Sequence, residues 1–126
     1  MLKGYESATM IPTKDLETAR RFYEDVLGFS VDREDPGGIQ YQSGASRFAV
    51  YPTQFAGTAQ HTLIGWEVED IESVVDDLSS KGVTFEQYDM PELKTDAKGI
   101  AAMGPEKGAW FKDPDGNILS LWQRAK

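Results

Sequence analysis

Cysteine is absent, which excludes disulfides, thiolate metal sites and cysteine nucleophiles. Histidine occurs once, at His61, so no histidine pair is available to build a motif. Positive charge is scarce. Thirteen Lys and Arg face 21 Asp and Glu, for a net charge of −8. A phosphate backbone needs a basic footprint, so no nucleic-acid partner is expected, whereas a cationic ligand is compatible. Charge pairs such as Glu24-Asp25 and Asp76-Asp77 read as solvated helix faces. No uninterrupted apolar run is long enough to span a bilayer, and the start, Met1-Leu2-Lys3-Gly4-Tyr5-Glu6, lacks a signal-peptide core. A cytoplasmic location with no membrane partner is the expectation.

What is present is an ordinary globular composition, 40% hydrophobic and 27% charged over 126 residues. That length suits one domain with a real core. Its main organisational signal is a repeat. Asp15-Leu16-Glu17 opens a helical stretch that closes near Leu27-Gly28-Phe29; Asp70-Ile71-Glu72 opens a second, closing near Lys81-Gly82-Val83. The offset is 55 residues at the aspartates and 54 at the glycines. A half-length repeat suggests two similar modules, residues 1–57 and 58–126, with a ligand cleft between them.

Local signals fill in each module. Residues 5–12 read as a strand ended by Pro12. Asp15 is a good N-cap, and Leu16, Ala19, Phe22, Tyr23, Val26 and Leu27 follow at helical spacing. Gly28 suits the left-handed C′ position. Strands are expected at 29–34, 38–43 and 46–52, separated by Asp35-Pro36-Gly37-Gly38 and Ser43-Gly44-Ala45. The second module repeats the order: a strand at 61–68, a helix capped by Asp70 and closed by Gly82, and a strand at 83–88. A long connection, 89–106, follows; it reads equally as a functional lid or a plain surface loop, with a short strand at 100–103. Residues 107–112 and 117–123 flank Asp113-Pro114-Asp115-Gly116-Asn117, a strong hairpin signal. The expected class is α+β: two βαβββ modules forming a curved mixed sheet around a cleft, helices on the outer face.

The stretch from Asp15 through Arg21-Phe22-Tyr23-Glu24-Asp25-Val26-Leu27-Gly28-Phe29 resembles the first-module signature of the vicinal oxygen chelate superfamily. That group includes glyoxalase I, extradiol dioxygenases, and fosfomycin and bleomycin resistance proteins. Val68-Glu69-Asp70-Ile71-Glu72 resembles its second-module entry, and Phe111-Lys112-Asp113-Pro114-Asp115-Gly116-Asn117-Ile118-Leu119 its C-terminal hairpin. The resemblance implies paired βαβββ modules, a small-molecule ligand and frequent homodimers.

It also implies where a metal would be held. Metal-dependent members place one ligand seven residues before the first helix aspartate, a second at the same distance before the next, and a third three residues after the hairpin asparagine. In this sequence those positions are Ala8, Leu63 and Ser120. A fourth falls around Tyr51 to Thr53. Alanine and leucine have no lone pair, and serine is a poor ligand for a divalent cation. A one-residue slip gives Thr9, Thr62 or Leu121 and turns side chains to the opposite face. The expectation is therefore no metal and no cofactor. This bears on glyoxalase, dioxygenase and fosfomycin-transferase chemistry, which use that metal.

Strand alternation puts His61 on the face of Leu63, Gly65 and Glu67. His61 and Glu67 are weak candidates for an acid–base pair. They are six residues apart, about 20 Å at ~3.3 Å per residue. A polar residue at a strand end is the better reading of His61. If Ser120 faces the cleft, so do Ile118 and Trp122, and Trp110 lies opposite Ser120. Ala8, Met10, Leu63 and Gly65 complete an apolar floor, with Tyr51 and Tyr41 contributing from module one. The expected ligand-binding set is Trp110, Trp122, Ser120, Leu63, Ala8 and Tyr51, with two indoles able to stack a flat or cationic molecule. Packing of the domain or dimer core is the competing role for each aromatic. Binding without turnover, as in bleomycin resistance proteins, is preferred. The alternatives are a glyoxalase-like lyase, isomerase or dioxygenase-related enzyme with an atypical site, and a regulatory domain with a vestigial cleft.

Overall fold

In the computed structural model, which describes residues 1–125, the chain builds two four-stranded mixed sheets and a small hairpin. The first sheet comes from β1 (Thr9–Thr13), β2 (Ser30–Asp35), β3 (Gly38–Ser43) and β4 (Ser46–Pro52), in the order β1-β4-β3-β2. The second contains β5 (Thr62–Glu67), β8 (Ile100–Met103), β9 (Glu106–Lys112) and β10 (Ile118–Gln123), in the order β5-β10-β9-β8. The hairpin pairs β6 (Asp89–Met90) with β7 (Leu93–Lys94). In each sheet the first strand runs parallel to the last and the rest are antiparallel, and β1 lies beside β5. The architecture is α+β.

Both helix starts follow from their aspartates. The Asp15 carboxylate accepts from the Glu17 and Thr18 amides at the head of α1 (Leu16–Arg20), and Asp70 accepts from Ser73 N–H at the head of α2 (Ile71–Ser80). The Thr18 hydroxyl, which donates to Asp15 Oδ2, and then the Thr18 and Glu17 amides favour the ionised form and hold Asp15 below the usual carboxylate range. Gly28 and Gly82 take φ of +84° and +96°, as the C′ position requires.

Four local expectations are corrected. The first strand begins at Thr9, not residue 5, and continues through Pro12 to Thr13. It is an edge strand, where a missing N–H can face away from the ladder. The first helix is α-helical only to Arg20; Arg21–Val26 widens into a π-helical turn, with Leu27 N–H reaching Phe22 C=O at 2.9 Å. Residues 83–88 make one isolated bridge, Phe85 to Phe111, and then leave β9. Thr95 explains the departure: its Oγ1 accepts from Tyr88 N–H, and its own N–H donates to Tyr88 C=O. β8 takes the vacated edge of β9 instead. Finally, His61 precedes β5 instead of starting it, and Leu63 is the extra residue where the β5–β10 register shifts.

The core lies on the helix face of both sheets. Ile11, Phe48 and Val50 pack with Tyr23, while Phe111, Leu119 and Leu121 pack with Val75 and Leu78. Trp66 joins the halves. Its ring stacks on Phe29 at 5.4 Å and meets Phe48 edge-on at 6.0 Å, and its Nε1 donates to Ser43 Oγ. Tyr41, expected in the cleft, is fully buried between Tyr23 and Phe48, and its hydroxyl donates to Glu24.

The Asp113–Asn117 turn is more than a turn. Asp113 Oδ1 accepts from the Asp115 and Asn117 amides, and its Oδ2 accepts from Asn117 Nδ2 and from Tyr23 O–H at 2.7 Å. Asp115 accepts from Thr13 Oγ1 and Lys14 N–H. The hairpin of one half thus clasps the first strand and helix of the other. Burial, with the Asp113 carboxylate alongside, holds the Tyr23 phenol far above its ordinary range, so it stays protonated and donates. Burial likewise pushes Asp113 above the usual carboxylate value, against the hydrogen bonds from Asn117 and Tyr23.

A pH dependence follows. With its folded value raised, Asp113's own contribution is fully present below the unfolded value and is lost as pH rises through the folded one. Tyr23→Phe removes a donor to the ionised form, so its cost is greatest where Asp113 is charged. The expected loss is about 2 kcal/mol at neutral pH, shrinking once Asp113 is protonated. Denaturant unfolding of both proteins at about pH 7 and about pH 3 checks this; equal losses at both would refute it.

Candidate functional site

The sheet face opposite the helices is open. On β10 it carries Ile118, Ser120 and Trp122, because Leu119 and Leu121 turn into the core. Ser120 pairs with Trp110 on β9, and Trp122 pairs with Gly108. Trp110 therefore shares the face of Ser120, the arrangement that alternation across the hairpin implies.

A groove of about 630 Å³ opens beside Trp110. Its walls are Met90, Pro91, Glu92 and Leu93 of the β6–β7 hairpin together with Met103 of β8. Tyr88 meets the Trp110 ring edge-on, centroids 5.7 Å apart. The lining is mostly hydrocarbon, indole and thioether. Glu92 is its one charged side chain, and among the described residues it makes no ion pair and no side-chain hydrogen bond. A carboxylate on an apolar wall beside an indole face can hold an organic cation by charge and by cation–π attraction.

The other expected ligand residues are spread over the open face. Trp122 lies two positions from Ser120 and does not line the groove; the Arg124 guanidinium already stands 5.7 Å from its ring centroid. Ala8 is exposed just before β1, Leu63 is half-buried at the β5 irregularity, and Tyr51 is half-buried on β4 opposite Pro12. These surround the β1–β5 seam, apart from the groove. Glu67 pairs with Arg124 at 3.0 Å. His61 is exposed, with Nδ1 3.0 Å from Thr62 C=O, and among the described residues no carboxylate partners it.

At the positions where the resemblance implies metal ligands, the side chains supply few donors. The Ala8 methyl and the Leu63 isobutyl group offer no lone pair, and the Ser120 hydroxyl is packed so close over Gly65 that a Cβ there would lie 2.5 Å from it. This donor set does not fit a divalent metal. Among the described residues, no group of three or more His, Asp or Glu side chains is arranged to hold one. Nor is any helix among them long and apolar enough to cross a membrane.

Sequence reasoning missed most of the groove. Met90, Glu92, Leu93 and Met103 belong to the long 89–106 connection. The available signal was compositional: two of the chain's four methionines lie within that segment.

Comparison with known proteins places this geometry. A glyoxalase family protein from Enterococcus faecalis is 24% identical, with a TM-score of 0.72, covering 97% of this chain and 99% of that one. TnmS3, an antibiotic binding protein from Streptomyces sp. CB03234, is 20% identical with a TM-score of 0.66, covering 96% of this chain and 98% of that one. A glyoxalase/bleomycin resistance protein/dioxygenase from Alicyclobacillus acidocaldarius is 18% identical with a TM-score of 0.69, covering 97% and 92%. At these identities the likeness is one of fold. No curated protein matches the chain. The profile of the Glyoxalase/Bleomycin resistance protein/Dioxygenase superfamily matches residues 7–121, from before β1 into β10, and the chain belongs to that superfamily.

Proposed function

We propose that this chain is a metal-independent binding protein that holds a small organic cation in the groove beside Trp110 and does not transform it. One observation carries the reading: a single unpaired carboxylate, Glu92, on the wall of an otherwise apolar groove that contains an indole. The net charge of −8 favours approach of a cation. Ala8, Leu63 and Ser120 at the family's metal positions remove the means for its metal-assisted chemistries. TnmS3, which shares the fold, is an antibiotic binding protein, and that supports a binding role for this scaffold. The reading takes the chain as one domain of two modules, 1–57 and 58–126, and as a homodimer, supported by apolar Met10 and Trp122 exposed on the open sheet face.

The test uses 10-methylacridinium, a planar aromatic cation, with metal analysis of the same sample. Calorimetry is expected to show saturable binding that quenches tryptophan fluorescence, unchanged probe on recovery, metal well below stoichiometric, and a dimer by sedimentation. Stoichiometric metal, or chemical turnover of the probe, would overturn the binding reading. A monomer at tens of micromolar would remove the dimer from it.

A further inference from the structure

We infer that Gly108 is a positioning residue: by carrying no side chain it lets the Trp110 ring lie along the sheet, which makes the groove select planar cations over compact ones. The inference rests on the ligand-binding reading above and names the feature that sets its specificity.

Gly108 is an unexpected residue for its place. It sits in the middle of β9, paired with Trp122 of β10 on one side and Ala101 of β8 on the other. A glycine interior to a central strand weakens it, by lost entropy and lost packing. Its backbone gives no compensating reason, because its φ is not positive, unlike that of eight other glycines in the chain. The reason is space. A Cβ built on Gly108 would lie 2.8 Å from Met103 Cε and 3.2 Å from Trp110 Cη2.

Those two distances describe how Trp110 lies. Side chains on a sheet normally stand roughly perpendicular to it. Trp110 instead leans along β9, with the far corner of its benzo ring over the backbone two residues back. Gly108 is buried beneath it, and Tyr88 meets the ring edge-on. The ring so placed forms a low floor, with the Met103 methyl beside it and the hairpin residues Met90 and Leu93 as a wall. An upright indole would stand into the same space and divide it. A floor of this kind favours a flat ring system that stacks over its area. A compact cation gains only local cation–π attraction and the Glu92 charge.

A side chain at position 108 acts first on Met103, whose flexible end moves easily, and then on the indole. Gly108→Ala is the graded change and Gly108→Val the stronger one; both suit a strand. Two probes separate planarity from charge: 10-methylacridinium and tetramethylammonium. Gly108→Val is expected to weaken the acridinium by roughly tenfold and tetramethylammonium by less than about twofold. In ligand-free protein, the near-ultraviolet dichroism of the Trp110–Tyr88 pair, assigned with Trp110→Phe, is expected to change in both variants. Equal weakening of both probes would overturn the inference, and so would unchanged dichroism. If the native chain binds neither probe, the ligand reading falls, while the ligand-free dichroism still decides whether Gly108 positions Trp110. Should Gly108→Val fail to fold, Gly108→Ala carries the same comparison with smaller effects.

Discussion

Asn117→Ala is expected to lower the free energy of unfolding by on the order of 4 kcal/mol, although Asn117 lies in a turn. Its side chain is fully buried and uses both ends of the amide. Nδ2 donates to Pro12 C=O at 2.7 Å and to Asp113 Oδ2 at 2.9 Å, and Oδ1 accepts from Gly57 N–H at 3.1 Å. Truncation leaves three partners short of a bond: a strand carbonyl in the first half, an amide in the connection between halves, and a buried carboxylate. Each deprived group costs about 1–3 kcal/mol, and the charged one lies at the upper end. Water offers poor relief to the Asp113 carboxylate, which is buried with Asn117. Gly57 approaches so tightly that a Cβ on it would lie 2.0 Å from Asp115 C=O. Asn117→Asp keeps the shape but turns an acceptor toward Pro12 C=O and Asp113. It is expected to lose comparable stability at neutral pH and to recover part of it on acidification. Denaturant unfolding with an unchanged m-value checks both variants. A loss below about 1 kcal/mol for Asn117→Ala would show that the clasp is dispensable.

The clasp also shows what a sequence reveals and what it conceals. Asp113-Pro114-Asp115-Gly116-Asn117 announces a hairpin because turn chemistry is local: proline presets one φ and glycine supplies another. The same holds for Asp15 and Gly28, and for Asp70 and Gly82, whose capping bonds stay within a few residues. Pairing of Trp110 with Ser120 was legible too, since a tight turn fixes register and alternation fixes the face. The partners of the turn were not legible. Tyr23, Thr13 and Pro12 lie about a hundred residues away, and no spacing rule links a buried phenol to a carboxylate in a distant turn.

The two departures in secondary structure have the same origin. The π-helical turn at Arg21–Val26 breaks no local rule of composition. It shifts the register of the helix end that carries Tyr23, whose hydroxyl reaches Asp113. Residues 83–88 have a good strand pattern, yet Thr95 draws Tyr88 away, and Ile100–Met103 completes the sheet. A competition between two segments for one strand edge is decided by tertiary contacts that propensity does not contain. The groove is a by-product of that competition, because the diverted chain returns as the β6–β7 hairpin that forms its wall. The seam between the modules and the groove thus draw on different segments, and of the expected ligand-binding residues only Trp110 lines the groove.

That relocation gives the two tryptophans opposite expected behaviour. Trp110→Ala should weaken 10-methylacridinium by about thirtyfold, or ~2 kcal/mol, the usual size for loss of a partly desolvated aromatic anchor. Trp122→Ala should leave affinity within about twofold, because its ring lies outside the groove and faces the Arg124 guanidinium. Glu92→Gln keeps the wall's shape while removing its charge. A carboxylate on a water-open groove is worth about 1 kcal/mol to a bound cation, so roughly a fivefold loss is expected, larger at low salt. The ionic-strength dependence separates the two contributions: the Glu92 loss should fade in salt, and the Trp110 loss should persist. Calorimetry on the three variants, each checked for an unchanged thermal midpoint, measures all of this. If Trp122→Ala removes binding and Trp110→Ala does not, the ligand occupies the seam between β1 and β5, where Ala8, Leu63, Ser120 and Tyr51 lie, and the assignment of the groove is wrong.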